Sequence, residues 1–235
     1  DVVYLSPAVH EHEAMPVGNG RLCCIVWNAD GLNLQLNHAD NVWHQNASGR
    51  VRLRAEPGLL ESTQQFEQRL CLHEGAVQTT CRGATGDWTA STRVLTGQDV
   101  LAVRLEGRLP TVLYVDLEHW RPTAQMVTAG PVAGFVEDLP AEPAPQFARR
   151  MAILAQADCP AMLLPVPADG DLRTITMKLS PSPDAQGLCR LTLYVANPVV
   201  PAKEDAQAAA TRLLAEALAQ GWDAQAARAA ERWRE

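Results

Sequence analysis

The stretch AMPVGNGRLCCIVW, residues 14–27, decides how the rest of the chain is read. Its centre, Gly18-Asn19-Gly20, admits three readings: a cradle for phosphate, a tight turn, or an amide offered to a sugar. A phosphate cradle needs a third glycine three residues after the second, and a helix behind it that aims backbone amides at the anion. Position 23 is Cys, and Leu22 to Trp27 reads as a strand. The nucleotide reading falls. A turn feeding a strand fits better, since Asn and Gly tolerate positive φ.

Working outward, the chain from Asp1 to about Asn197 keeps this character: short strand-like runs separated by Gly, Asn, Asp and Pro. Strands are expected at Leu22–Trp27, Leu32–Asn37, Val51–Arg54, Phe66–Leu72, Ala76–Cys81, Trp88–Leu95 and Val100–Leu105. Further ones follow at Thr111–Leu117, Arg150–Ala155, Ala161–Val166, Leu172–Leu179 and Leu188–Val195. So many strands at short spacing predict a two-sheet sandwich rather than a βαβ fold. The alanine-, glycine- and proline-rich run from Ala129 to Phe147 reads as a long surface loop carrying the adjacent carboxylates Glu137 and Asp138. Composition changes after Pro198. Ala202 to Gln220 holds eight alanines with leucines at helical spacing, Gly221 is a stop, and a second helix is expected from Trp222 with Asp223 as N-cap. That uncapped, aromatic ending predicts a chain that continues toward another domain.

Charge and cysteines exclude some functions. Against 20 Lys and Arg stand 27 Asp and Glu, a net charge of −7, which argues against a grip on nucleic acid. No apolar run reaches the roughly 20 residues that cross a bilayer, so no membrane partner is expected. The six cysteines form no C-x-x-C pair, and no structural metal or cofactor is expected. Adjacent Cys23 and Cys24 point to opposite faces of a strand and read as small packing residues. The sequon Asn46-Ala47-Ser48 carries little weight alone. His10-Glu11-His12-Glu13 reads as a solvated loop, and neither H-E-x-x-H nor G-x-S-x-G occurs. In LNHADNVWHQ, residues 36–45, Trp43 could stack on a sugar ring while Asn37, Asp40 and Asn41 address hydroxyls. The other reading is a strand end with Trp43 buried in the sandwich.

The order PVGNGRL (16–22), LNLQLN (32–37) and DNVW (40–43) resembles the opening of glycoside hydrolase family ninety-five, the α-L-fucosidases. FEQRLCLHEGAVQTT (66–80) followed by WTASTRVLTGQDVLAVRLEG (88–107) resembles a second block of that family in the right order. DVVYLSP and SGRVRLRAEP are similar to a related, uncharacterised family of predicted glycoside hydrolases. The resemblance implies a galactose-mutarotase-like β-supersandwich over residues 1–200. It further implies a helical linker over 201–235, leading to an (α/α)6 barrel in which the family's catalytic residues lie. No catalytic residue is therefore expected here. Departures such as His38 and Ala39, where Glu and Asp are usual, put fucose specificity in question. On this reading the chain is a noncatalytic scaffold, secreted or periplasmic, whose partner is the barrel and which borders its sugar pocket. Asn19, Arg21, Asn37, Asp40 and Trp43 are the expected substrate or interdomain contacts. The alternatives are a stand-alone carbohydrate-binding module and an autonomous epimerase, which would need a His and Glu pair in an open sheet concavity.

Overall fold

The structure is a computed structural model and describes residues 1–41, 47–84, 86–139, 148–164 and 173–233. Among the described residues, seventeen strands form two antiparallel sheets. The ten-stranded sheet runs in the order β1 (Val2–Tyr4), β6 (Thr63–Cys71), β7 (Ala76–Gly83), β8 (Trp88–Val94), β9 (Val100–Gly107), β16 (Cys189–Ala196), β13 (Arg149–Ala157), β12 (Val132–Leu139) and β11 (Gln125–Ala129), with β17 (Val199–Pro201) also beside β13. The seven-stranded sheet runs β14 (Ala161–Leu164), β15 (Arg173–Leu179), β10 (Leu113–His119), β5 (Gly49–Ala55), β4 (Leu32–His38), β3 (Leu22–Trp27) and β2 (Met15–Gly18). This is the expected β-sandwich with a helical C-terminal segment.

Strict alternation builds it. In β4 and β5 every second residue, Leu32, Leu34, Leu36, Val51 and Leu53, is fully buried between the sheets. They meet Val77, Ala90, Val103, Leu105, Phe135, Ile153, Leu191 and Leu193 from the larger sheet in one core. The other faces differ. The outer face of the larger sheet is apolar along Val100, Ala102, Leu154, Tyr194 and Ala196, and helix α1 (Ala206–Arg232) covers it with Ala206, Ala210, Leu214 and Ala217. Small alanines on that helix stripe let it lie close on the sheet. The outer face of the smaller sheet is polar, and residues Ala8 to Glu13 cross it at β3, held by the Asn28 N–H to the Ala8 carbonyl at 2.8 Å.

Three expectations need correction. The run 129–147 is not simply a loop: β12 occupies Val132–Leu139, while 140–147 lie outside the described residues. Gly134 is there because its backbone passes so close to β13 that a Cβ would sit 1.9 Å from the Ile153 carbonyl oxygen. Glycine at that place marks close approach of two strands. The helical tail opens at Ala206 behind the Asp205 cap rather than at Ala202, while the two expected helices are both present in α1, parted at Gly221 (φ 71°, ψ 164°). His10 to Glu13, expected as a loop, holds a short 3-10 helix over Glu11–Glu13, which remains exposed.

Candidate functional site

The turn between β2 and β3 closes through the Asn19 N–H to the Leu22 carbonyl at 3.1 Å, with Gly20 at φ 92°. The Asn19 side chain then works in two directions. Its Oδ1 accepts from the Arg21 and Leu22 N–H groups, both at 3.0 Å, and its Nδ2 donates to the Leu95 and Gln98 carbonyls at 2.9 and 2.8 Å. Leu95 and Gln98 lie in the turn between β8 and β9, so one amide both shapes the smaller sheet's turn and fastens it to the larger sheet. Both of its N–H groups and its oxygen are occupied inside the chain.

Beside this stitch Arg21 is exposed and reaches Asp40 at 3.4 Å and Asp99 at 3.2 Å. His38 ends β4 with a fully buried side chain, and its Nδ1 accepts the Asp40 N–H at 3.1 Å. A neutral imidazole that accepts at Nδ1 carries its proton on Nε2. That atom is 3.4 Å from Asp99 Oδ2. An open cleft of about 930 Å3 adjoins the cluster, lined by Asn19, Thr96 and Gly97 on one side and Arg232 and Trp233 on the other. Trp233 is half exposed and rests on the backbone of Gly75, where a Cβ would strike its indole. The second segment of α1 is held over β8 by Arg93, whose guanidinium lies 4.6 Å from the Trp222 ring centroid.

Of the residues expected to make contacts, Asn19, Arg21 and Asp40 come together at this corner. Asn37 does not join them: it lies opposite Cys23 in register, on the other face of β4 from His38. Trp43 lies outside the described residues, as does Asn46 of the sequon. Asp99 and the Gln98 carbonyl complete the cluster from a turn some sixty residues away; the only sequence signal was TGQD as turn chemistry.

Two further charged clusters are present. On the open face of the smaller sheet, Arg50, Arg52 and Arg54 of β5 stand across from Glu118 and Asp116 of β10, with Arg54 Nε 2.7 Å from Asp116 and Thr176 donating to it at 2.7 Å. Burial pushes the Asp116 carboxyl up. The hydrogen bonds from Arg54 and Thr176, with the charges of both arginines, outweigh it and hold the group below its ordinary range. At the end of β10, His119 and Glu137 approach to 3.4 Å, and Arg121 and Thr123 also bond Glu137. This is a His and Glu pair, but both side chains are buried, and the carboxyl is likewise held low despite burial by His119 and Arg121. A sealed, ion-paired carboxylate does not meet substrate as a base. Glu137 and Asp138 do not share acid and base work either: they point to opposite faces of β12, and Asp138 pairs with Arg150 at the surface. Among the described residues no group of three His, Cys, Asp or Glu side chains is arranged to hold a metal, and no helix is long and apolar enough to cross a membrane.

With this geometry in place, comparisons give the chain its relatives. The family described as "Domain of unknown function (DUF5703)" matches residues 3–143, more than half of the chain. No curated protein matches. Among solved structures, one titled "Putative kojibiose phosphorylase from human microbiome" superimposes with a TM-score of 0.65 at 10% identity. The match covers 99% of this chain and 37% of that one. At that identity the likeness shows the sandwich fold alone.

Proposed function

The chain belongs to the DUF5703 N-terminal domain family, and from that premise we propose that it is the noncatalytic N-terminal domain of a carbohydrate-active enzyme. The observation that carries the proposal is the extent of the structural likeness: nearly all of this chain matches just over a third of the structure titled "Putative kojibiose phosphorylase from human microbiome". In our reading residues 1–200 are the sandwich, and 201–235 lead toward a following (α/α)6 barrel that holds the chemistry. An α-L-fucosidase-like hydrolase is the finer form of the proposal, resting on the PVGNGRL and LNLQLN blocks.

The site supports a scaffold. Its one conspicuous amide, Asn19, is consumed by the fold, and its one exposed cation, Arg21, is already paired with Asp40 and Asp99. Arg21 and Asp40 remain at the surface, where they serve as contacts to the barrel or to the rim of its sugar pocket, with Asn37 and Trp43 as further candidates. We place the whole protein outside the cytoplasm, secreted or periplasmic, by analogy with enzymes of extracellular glycans. Two chains test the function: residues 1–235, and the same chain extended through whatever its gene encodes next. Each is assayed on aryl glycosides, including fucosides, and on disaccharides with and without inorganic phosphate. Turnover by the longer chain alone is the expected result, and its dependence on phosphate separates phosphorolysis from hydrolysis. Turnover by residues 1–235 would overturn the reading.

A further inference from the structure

The polar face of the smaller sheet carries a groove that the scaffold role leaves unused. It has a volume of about 400 Å3 and lies between the crossing segment, with His10 and His12, and the β5 arginines Arg50 and Arg52; Trp27 and Asn33 also line it. Volumes of roughly 300–1,000 Å3 are those of small-ligand sites. Trp27 is the telling residue. It faces outward on β3, the crossing segment leaves it only 4% exposed, and among the described residues no hydrogen bond engages its indole N–H, which is not sealed in the core but keeps access to solvent at the groove. A Trp N–H held at the edge of a groove is a donor that a bound molecule can use.

The arginines define what the groove could hold. Arg50 Nε bonds Glu118, and Arg52 Nε and Nη2 bond Asp116, so both charges are already matched by carboxylates that are 2–3% exposed. Among the described residues neither Nη1 is engaged. Glu11 and Asp30 stand on the same rim. The groove therefore presents oriented N–H donors and imidazoles without a net positive charge, an arrangement that suits uncharged hydroxyl oxygens better than an anion. The geometry points to a binding site for a neutral saccharide ring, its hydroxyls accepting from the Trp27 indole and the outer guanidinium edges of Arg50 and Arg52. The site is separate from the corner at Asn19 and does not depend on the barrel: the longer chain can fail in turnover while this site binds.

The test reads Trp27 directly in residues 1–235. The chain has six tryptophans and so gives six indole N–H resonances in a 15N-labelled spectrum, with that of Trp27 assigned through its sequential neighbours. Methyl glycosides of glucose, galactose and fucose, their disaccharides, glucuronate and inorganic phosphate are titrated in turn. A neutral sugar that moves the Trp27 resonance saturably is the expected result. Trp27→Phe, which keeps the ring and removes the donor, should then weaken that sugar about three- to tenfold, the worth of one hydrogen bond, and His12→Ala at the exposed rim should weaken it less. Silence of the Trp27 resonance to every neutral sugar, or unchanged affinity in Trp27→Phe, overturns the site. A response to phosphate or glucuronate alone overturns the ligand class.

Discussion

Replacing Asn19 with alanine should cost the fold about 2–3 kcal/mol, and the estimate follows from what the side chain holds. Four hydrogen bonds vanish: two donated to the Leu95 and Gln98 carbonyls and two accepted from Arg21 and Leu22. A typical intramolecular hydrogen bond is worth a net ~0.5–1.5 kcal/mol, and water can replace those on the exposed side more readily than the cross-sheet pair. In a chain of this size each kcal/mol lowers the melting temperature by roughly 2–4 °C, so the variant should melt about 4–12 °C lower by circular dichroism. Asn19→Asp sharpens the test. It keeps the acceptor for Arg21 and Leu22 but turns a carboxylate oxygen toward two carbonyls, and should be destabilised at least as much. If both variants melt within about 1 °C of the parent, the cross-sheet stitch carries no weight and Asn19 is free for substrate, contrary to our reasoning.

Three other outcomes follow from the structure. Asp116 has a folded pKa below its ordinary 3.8, so its contribution is whole above that value and is lost as pH falls through the folded one. Asp116→Asn should lower the unfolding free energy from urea titration at pH 7 by about 1–3 kcal/mol, and flatten its decline below about pH 4; an unchanged acid limb would contradict this. A chain ending at Pro201 uncovers Val100, Ala102, Leu154, Tyr194 and Ala196, and should bind a hydrophobic dye and self-associate, whereas a monomer with the parent's melting temperature would show that α1 is dispensable. All six cysteines are unpaired, so six thiols should titrate in denaturant without reductant. In the native chain at pH 8 they should react slowly, since burial pushes Cys81 and Cys159 up to about 11.

The fold was legible wherever the apolar pattern was clean. Leu32 to Asn37 announces a strand because one of its faces is a row of apolar side chains, and Val100 to Leu105 does so as a nearly continuous apolar run buried on both faces. It was obscure in β12, where Gly134 looks like a breaker and is instead the residue that lets β13 approach. The break between the two helical segments at Gly221 was readable from a single glycine, but the placement of the second segment over β8 depends on tertiary contact through Trp222 and Arg93. At the corner site Arg21 and Asp40 come from neighbouring strands and could be associated from sequence. Asp99 could not, because its approach to His38 depends on how the two sheets stack. The same limit hid the groove: Arg50, Arg52 and Arg54 are visible as an every-second-residue pattern, yet their acids on β10 appear only once the register is known.

That row of arginines also bears on how the chain avoids pairing wrongly. β5 must find β10 across an intervening stretch that forms four strands of the other sheet. Side chains in a strand alternate between faces, so sliding β5 by one residue would drive three guanidiniums in among Leu34, Leu117 and Ile175, and turn Val51 and Leu53 out to water. No rearrangement of side chains would relieve that. The arginines thus act as a proofreading device for strand assembly, tolerating one alignment of β5 and rejecting its nearest neighbours.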